Sequence, residues 1–218
     1  MGKLIVIEGL DGCGKSTQLE MLGEKLPDAR FISFPRYDTN SGRLIKQYLN
    51  GEFRENDKTA GAYSASIMYA ADRYAAYKTE WENDYLSGKL IVSARYVSSN
   101  AIYQMAKLDR SEWDAYLSWL SDLEYKKMKL PEPSKTIFLD MPNEISQKLL
   151  SQRYSGDETK KDIHERDTAF LSVCREAAVF AGDRCGWETV ACSENGLPLP
   201  PGAVNERLVQ IIEKICRG

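Results

Sequence analysis

The sequence predicts a single α/β domain over residues 1–218, a three-layer fold with a central parallel sheet of about five strands and helices on both faces. The length is that of one such domain. Short, nearly continuous apolar segments alternate with longer segments of helical periodicity, and strands with two apolar faces are typical of parallel sheets covered on both sides. No internal repeat with a period of roughly 20–50 residues breaks this alternation.

The predicted strands are short apolar segments, and the residues at their ends are informative. The first strand ends in the acidic residue Glu8, and the second is stopped by Pro35, which cannot donate to a strand ladder. In sheets of this class, ligands bind beyond the carboxyl ends of the strands. The strands are expected at Lys3–Glu8, Arg30–Phe34, Leu90–Ser93, Thr136–Leu139 and Trp187–Ala191.

The predicted helices are identified by apolar residues at helical spacing and by residues suited to helix ends. Leu19, Leu22 and Leu26 lie on one face of the first helix. Pro142 suits the first turn of the helix after the fourth strand, and the Pro/Gly-rich loop 196–202 precedes the last helix. The helices are expected at Lys15–Leu26, Gly42–Leu49, Thr59–Tyr85, a stretch up to Lys107, Ser111–Lys129, Pro142–Gln152, residues 163–181 and Val204–Cys216.

Composition and charge exclude several classes of protein. Hydrophobic residues make up 43% and charged residues 28%, which excludes a mainly disordered chain. The formal net charge of −3 argues against nucleic acid as a partner, and no apolar run approaches the roughly 20 residues that span a bilayer. Glu8 stands where a signal peptide would continue its apolar segment, so we expect a cytoplasmic protein with no membrane partner. Five cysteines without C-x-x-C spacing and a single histidine argue against a zinc site.

A phosphate-binding motif follows the first strand. The pattern G-x-x-x-x-G-K-[ST], between a strand and an amphipathic helix, is matched by Gly9-Leu10-Asp11-Gly12-Cys13-Gly14-Lys15-Ser16. The glycines let backbone N–H groups wrap a phosphate, and the helix N-terminus adds the positive end of its dipole. Lys15 can reach the outer phosphates, and Ser16 can hold Mg²⁺. The motif predicts a P-loop NTPase-like protein that binds a nucleoside triphosphate with Mg²⁺, without separating kinases from GTPases and ATPases.

Further segments, in chain order, resemble one family, the thymidylate (dTMP) kinases, over nearly the whole chain. A motif F-P-x-R follows the second strand, an aromatic-x-x-x-R segment lies in the long helix, and a motif similar to D-R-[YH] follows the third strand. L-D-x-P follows the fourth strand, and D-x-x-E closes a polar segment similar to the family's lid. The matching residues are Phe34-Pro35-Arg36, Tyr69 to Tyr74, Ala94-Arg95-Tyr96 with Ser99 to Gln104, Leu139-Asp140-Met141-Pro142, and Arg153 to Glu165.

The resemblance implies transfer of the γ-phosphoryl group of ATP to dTMP, giving ADP and dTDP, with Mg²⁺ as cofactor. On the acceptor side it implies that Asp11 contacts the deoxyribose 3′-hydroxyl, that Tyr69 stacks on thymine and that Arg73 hydrogen-bonds the base edge. Three further residues would line the thymidine pocket: Asn100, Tyr103 and Gln104. The acceptor phosphate would be held by Arg36 and Arg95.

On the donor side the resemblance implies a phosphate loop at residues 9–16 and a mobile lid at about residues 153–163 that closes over ATP. Some family members carry a transition-state arginine where this chain has Gly12, so the positive charge is expected from the lid, whose basic residues are Arg153, Lys160, Lys161 and Arg166. ATP would be bound by Gly9, Asp11, Gly12, Cys13, Gly14, Lys15, Ser16, Thr17 and Arg153. The catalytic residues would be Lys15, Arg95, Arg153 and Asp11, and the family resemblance also implies a homodimer.

The chemistry of such a transfer favours arginine. The acceptor phosphate is already ionised and serves as its own nucleophile, so positive charge and alignment are needed rather than a general base. The planar fork of arginine binds two phosphate oxygens. Arg36 and Arg95 both follow strands and should point into the crevice, with Arg43 as the alternative to Arg36. Tyr69 and Arg73 lie one helical turn apart and should face the same way.

One position departs from the family pattern. Ala94 stands where the family has the Asp of D-R-[YH], an acid that would lie near Mg²⁺ and the reacting phosphates. Mg²⁺ could then be held by Ser16, phosphate oxygens and waters, or with help from Asp140, which resembles a Walker B acid. The sequence also leaves open a chain that binds nucleotides with little turnover and a kinase for another nucleoside monophosphate. A deoxynucleoside kinase is disfavoured, because it needs a carboxylate base near this strand end.

Overall fold

The computed structural model describes residues 1–53, 58–153 and 168–217, apart from the side chains of Thr59 and Arg153. Its central sheet has five parallel strands in the order β2-β3-β1-β4-β5. The strands are β1 (Leu4–Glu8), β2 (Arg30–Ser33), β3 (Ile91–Ala94), β4 (Lys135–Asp140) and β5 (Glu188–Ala191). The predicted α/β fold with a central parallel sheet is therefore confirmed.

Helices cover both faces of this sheet and connect its strands. Short 3₁₀ turns lie at Met105–Lys107 and Arg110–Glu112. No helix in the described part of the chain combines the length and apolarity needed to cross a membrane. The α-helices are α1 (Lys15–Lys25), α2 (Asn40–Leu49), α3 (Lys58–Ala76), α4 (Glu82–Leu86), α5 (Val97–Tyr103), α6 (Trp113–Ser121), α7 (Asn143–Arg153), α8 (Thr168–Cys185) and α9 (Pro201–Arg217).

Two apolar cores lie on opposite faces of the sheet because successive side chains of a strand point to opposite sides. Leu4 and Val6 belong to the core that also holds buried residues of α3, α5, α6 and α8. Ile5 and Ile7 belong to the second core, with buried residues of α1 and α9. This arrangement explains why β1 is almost entirely apolar, since every one of its side chains is buried.

Several predicted elements differ in detail from the structure. The helix predicted at Thr59–Tyr85 consists of α3, a π-helical turn (Tyr77–Trp81) and α4, and a second π-helical turn (Asp122–Lys127) follows α6. Pro142 precedes α7, and its carbonyl accepts the backbone N–H groups of two residues of the first turn. The loop predicted at residues 196–202 contains β7 (Leu197–Pro198), which pairs antiparallel with β6 (Ser193–Glu194).

The carboxyl ends of three adjacent strands meet at one edge of the sheet. Ile7 of β1 is in register with Ala94 of β3, and Ala94 is in register with Ser33 of β2. The segments that follow these strands therefore lie side by side. They are the phosphate loop, the segment that begins at Phe34 and the segment that begins at Arg95.

Candidate active site

The phosphate loop has the backbone conformation that its glycines allow. Gly9, Gly12 and Gly14 have φ angles of 153°, 79° and 94°, values that side chains with a Cβ rarely adopt. A Cβ atom at Gly12 would lie 2.7 Å from the carbonyl oxygen of Ser146, so close packing also requires glycine there. The Lys15 ammonium donates to the carbonyl oxygens of Gly9 and Leu10, both at 2.8 Å. The Lys15 side chain, at the start of α1, therefore folds back onto the backbone of the phosphate loop.

Two cavities meet at the edge of the sheet. The donor cavity lies along the phosphate loop, and of the predicted ATP-binding residues it is lined by Asp11, Gly12, Cys13, Gly14, Lys15, Ser16 and Thr17. The acceptor cavity lies between the helices, and of the predicted substrate-binding residues it is lined by Asp11, Tyr69, Arg73, Arg95, Asn100, Tyr103 and Gln104. The two cavities share Asp11, Phe34 and Arg95.

Arg95 stands where the two cavities meet. It has a φ angle of 62°, an unusual value for a residue with a side chain, directly after β3. Its guanidinium forms an ion pair with Asp11 and lies 5.1 Å from the centre of the Tyr103 ring. The Tyr103 hydroxyl donates to the other oxygen of Asp11 at 3.0 Å. Burial alone would lower the pKa of Arg95, but the neighbouring Asp11 raises it well above its ordinary value, so the arginine stays charged.

One wall of the acceptor cavity rests on a buried ion pair. Arg73 is 1% exposed, and its Nε donates to the Glu124 carboxylate at 2.6 Å. Its Nη2 donates to the other oxygen of Glu124. The Asn100 side-chain amide donates to the backbone carbonyl of Ser66 at 3.3 Å and to Glu124 at 3.4 Å. Glu124 itself is fully buried and does not line the cavity.

A partly buried lysine supports a second part of this wall. The Lys107 ammonium donates to the Gln104 side-chain carbonyl at 2.6 Å and also to the Tyr48 hydroxyl. Burial lowers the pKa of Lys107 to about 8. Gln104 is 2% exposed and faces the acceptor cavity. Burial also raises the pKa of Tyr69, which lines the same cavity, so its phenol stays neutral.

Arg36 is held away from both cavities. It is not among the described residues that line them, although Pro35 and Tyr37 on either side line the acceptor cavity. Its guanidinium donates to Asp72 at 3.0 Å from Nη2 and 3.2 Å from Nε, and it also pairs with Glu80. In the structure Arg36 therefore points away from the crevice although it follows a strand, and its contact with the acceptor phosphate stays a prediction. The buried carboxylate of Asp72 orients the Arg36 guanidinium instead.

The acidic residues near the strand ends are already engaged. Glu8 is fully buried and accepts hydrogen bonds from the backbone N–H groups of Gly9 and Tyr96 and from the hydroxyls of Ser98 and Ser99. It thereby joins the end of β1 to the start of α5. Asp140 accepts two hydrogen bonds from Arg175, at 3.0 and 2.9 Å. Asp140 does not line the donor cavity, whereas Ala94 does.

The donor atoms available for a metal ion are few. Within residues 1–53, 58–153 and 168–217, no cluster of three or more His, Cys, Asp or Glu side chains could hold one. The Ser16 hydroxyl lines the donor cavity beside Lys15. A single hydroxyl suits Mg²⁺, which keeps several waters and takes further oxygens from substrate phosphates.

Some predicted residues lie outside the described part of the chain. They are the Arg153 side chain and, in the predicted lid, Lys160, Lys161 and Arg166, together with Asp162, His164 and Glu165. Of the described site residues, Gly9 does not line the donor cavity, but its carbonyl accepts a hydrogen bond from Lys15.

Several residues of the site were not predicted. Phe34 and Tyr37 line the acceptor cavity, and Asp72, Lys107 and Glu124 support it from behind. A sequence signal exists for one of them. Glu124 follows Tyr116 and Leu120 at intervals of four residues, so it continues the buried face of a helix with an acidic side chain. An acid on such a face requires a buried partner.

The fold and the site define a class of protein. A phosphate loop at the end of the central strand, a donor cavity along it and an adjoining acceptor cavity lined by arginines are the features of a P-loop phosphotransferase that acts on a second nucleotide. Comparison with known proteins narrows the class. The family described as thymidylate kinase matches residues 7–195.

Individual relatives agree with the family match. A probable thymidylate kinase from Pyrobaculum aerophilum is 28% identical over 214 residues, which cover 98% of this chain and 97% of the relative. The thymidylate kinase of Mycobacterium tuberculosis is 29% identical over 189 residues, covering 82% and 84% of the two chains. The solved structure of thymidylate kinase from Candida albicans superposes with a TM-score of 0.73 at 25% identity, covering 98% and 92%. The chain belongs to the thymidylate kinase family, whose reaction is the ATP-dependent phosphorylation of dTMP.

Proposed function

We propose that this kinase binds dTMP in the acceptor cavity and ATP in the donor cavity, and that the phosphoryl group passes between them beside Arg95. The observation that carries the proposal is the wall that both cavities share, formed by Asp11, Phe34 and Arg95. A phosphoryl donor and its acceptor must lie in line with their reacting oxygens close together. Cavities that meet at an arginine satisfy this requirement.

The base would be read by three side chains of the acceptor cavity. Arg73 can only donate hydrogen bonds. The amide nitrogen of Asn100 is bonded to Ser66 and Glu124, so its carbonyl oxygen would accept a hydrogen bond from the base. The side-chain carbonyl of Gln104 is bonded to Lys107, so its amide nitrogen would donate one to the base. Thymine presents an acceptor at O4, a donor at N3–H and an acceptor at O2. These atoms are complementary to a donor from Arg73, an acceptor from Asn100 and a donor from Gln104. Cytosine presents an amino group in place of O4 and an acceptor at N3, so two of the three contacts would fail.

Arg95 would release Asp11 and bind the acceptor phosphate, whose two negative charges it is placed to neutralise. Asp11 and Tyr103 would then turn to the sugar, with Tyr69 and Phe34 on the faces of the base. Arg36 joins this site by leaving Asp72 and Glu80, or it stays as a support of the segment after β2. The acceptor needs no general base, because its phosphate is ionised at neutral pH.

On the donor side, Lys15 would exchange the loop carbonyls for phosphate oxygens of ATP, and the N–H groups of residues 9–16 would wrap the phosphates. Mg²⁺ would be held by the Ser16 hydroxyl and would neutralise phosphate charge when bound. Ala94 adds no carboxylate to the donor cavity, and Glu8 and Asp140 are occupied by the chain itself. A positively charged lid at residues 153–163, with Arg153, would complete the site.

The proposal extends to the domain organisation, location, oligomeric state and partners of the protein. We infer one nucleotide-kinase domain over residues 1–218 that acts in the cytoplasm. A homodimer is supported by exposed apolar side chains on α3, where Ile67 is 54% exposed and Tyr74, two turns further on, is 42% exposed. Leu44 of the adjacent α2 is 38% exposed. ATP and dTMP are the small-molecule partners, with no role for nucleic acid or membrane.

The experiment measures ADP formation from ATP and Mg²⁺ with dTMP, dUMP, dCMP, UMP, AMP, GMP or thymidine offered singly. The chain is expected to respond to dTMP, and Arg95→Ala is expected to lower kcat by about 10²–10³-fold while ATP binding persists. Arg36→Ala and Arg43→Ala form a matched pair that tests which arginine reaches the acceptor phosphate. Turnover by Ala94→Asp but not by the native chain would identify a binding-only form. No response of either chain to dTMP would refute the acceptor assignment.

A further inference from the structure

Glu124 lies outside the acceptor cavity, yet it contacts two of the three side chains that face the base. Its carboxylate accepts two hydrogen bonds from Arg73 and one from Asn100. It belongs to the π-helical turn Asp122–Lys127 and is fully buried. π-helical turns frequently occur at functional sites. A buried carboxylate is also costly unless its partners are fixed, which makes this one a rigid reference point for both side chains.

The chemistry of its partners determines how the Asn100 amide is oriented. The amide nitrogen of Asn100 faces two groups that can only accept, the Ser66 carbonyl and the Glu124 carboxylate. The reverse orientation would place the Asn100 carbonyl oxygen against two other oxygens. Glu124 therefore helps to direct the Asn100 carbonyl oxygen, a hydrogen-bond acceptor, towards the cavity.

Glu124 also fixes the other base-reading group. Both Nε and Nη2 of Arg73 are engaged with the carboxylate, and Nη1 donates to the Tyr96 carbonyl at 3.2 Å. The guanidinium plane is thereby set, so its remaining N–H groups keep one direction at the cavity wall. A donor and an acceptor held side by side match the O4 and N3–H edge that separates thymine and uracil from cytosine.

We propose that Glu124 is a positioning residue for nucleobase selectivity, which sets the hydrogen-bonding polarity of Asn100 and the direction of Arg73. This inference rests on the proposed function, since it assumes that the cavity holds the base of dTMP. The role differs from a structural one in a specific way. A structural residue would alter stability and the turnover of all acceptors together, whereas a positioning residue alters the ratio between acceptors.

The test uses Glu124→Gln, which keeps the shape of the side chain and adds a donor. The carboxylate oxygen that accepts from Asn100 also accepts from Nη2 of Arg73, so a glutamine whose amide nitrogen takes this place keeps the bond from Arg73 Nε, loses the bond from Nη2 and donates to Asn100. Only the Ser66 carbonyl then opposes a turn of the Asn100 amide nitrogen to the cavity, where this nitrogen suits N3 of cytosine. The ratio of kcat/KM for dTMP to that for dCMP is expected to fall by about tenfold or more, the worth of one mismatched hydrogen bond in a buried site. Asn100→Ala should lower the same ratio, and Glu124→Gln added to Asn100→Ala should lower it little further, because both act through one amide.

The fold of each variant is checked by circular dichroism and urea unfolding. If Glu124→Gln does not fold, Glu124→Asp replaces it, since the aspartate keeps the buried negative charge beside Arg73 but is one methylene too short to reach both Arg73 and Asn100. A folded variant with the native dTMP to dCMP ratio would overturn the inference. A native chain that uses dCMP as well as dTMP would instead overturn the proposed function, and the inference with it.

Discussion

Replacing Lys107 by methionine is expected to change how the free energy of unfolding depends on pH. Burial lowers the pKa of this ammonium from 10.5 to about 8, and its polar contacts are Tyr48 and Gln104. Below pH 8 the folded chain carries the whole cost of the buried charge. Between pH 8 and 10.5 the unfolded chain binds a proton that the folded chain does not, so the stability of the native chain rises with pH over this interval.

The size of the change follows from the pKa difference. A shift from 10.5 to about 8 is 2.5 pH units, and each unit corresponds to about 1.4 kcal/mol. The native chain should therefore gain about 3 kcal/mol relative to Lys107→Met between neutral pH and pH 10.5. Titrating groups that do not interact with the ammonium act equally on both chains and cancel in the difference.

Urea unfolding at a series of pH values measures this difference. Lys126→Met is the matched control, because the side chain of Lys126 is exposed and its removal should give a difference that does not vary over the same interval. A difference between the native chain and Lys107→Met that stays constant up to pH 10.5 would refute the reasoning. It would mean that the ammonium is solvated in the folded chain.

Two further predictions concern the supports of the acceptor cavity. Glu124→Ala leaves the Arg73 guanidinium buried without its carboxylate and should lower the unfolding free energy by about 3–5 kcal/mol in urea titration, whereas a loss under about 1 kcal/mol would contradict full burial of the pair. Gly42→Ala drives a Cβ atom into the Arg36 carbonyl oxygen, so it should cost about 1–3 kcal/mol and raise KM for dTMP by displacing the segment after β2. The control Gly23→Ala, in the last turn of α1, brings the new Cβ within 4 Å of no atom of the described chain other than its chain neighbours and the backbone of α1, and should stabilise the chain by about 0.4–1 kcal/mol.

The parts of the molecule that the sequence predicted well are those encoded by neighbouring residues. The five strands of the central sheet were predicted to within one residue at each end because an apolar run bounded by polar residues is a local signal. The phosphate loop was predicted because its glycines and Lys15 are adjacent in the chain and their roles depend on local backbone geometry. The family resemblance then located Tyr69, Arg73, Asn100 and Gln104, all of which line the acceptor cavity.

The parts that were missed depend on pairs of residues far apart in the chain. Arg36 was expected to face the crevice, but Asp72, in a helix 36 residues further on, accepts its hydrogen bonds. Arg73 meets Glu124 across 51 residues, and no local pattern specifies that contact. The π-helical turns were missed for a related reason. Tyr77 and Trp81 are both buried with their rings 4.7 Å apart, so packing, rather than local helix propensity, selects that turn.

The ion pair between Asp11 and Arg95 has a thermodynamic consequence for an enzyme with two nucleotide sites. Both residues line both cavities, so the first nucleotide to engage either of them must separate the pair. The second nucleotide finds the arginine already released and does not bear that cost. Each substrate should therefore strengthen the binding of the other, and by linkage the factor is the same in both directions. A competitive inhibitor of the acceptor site would accordingly bind more tightly at high ATP concentration than to the empty enzyme.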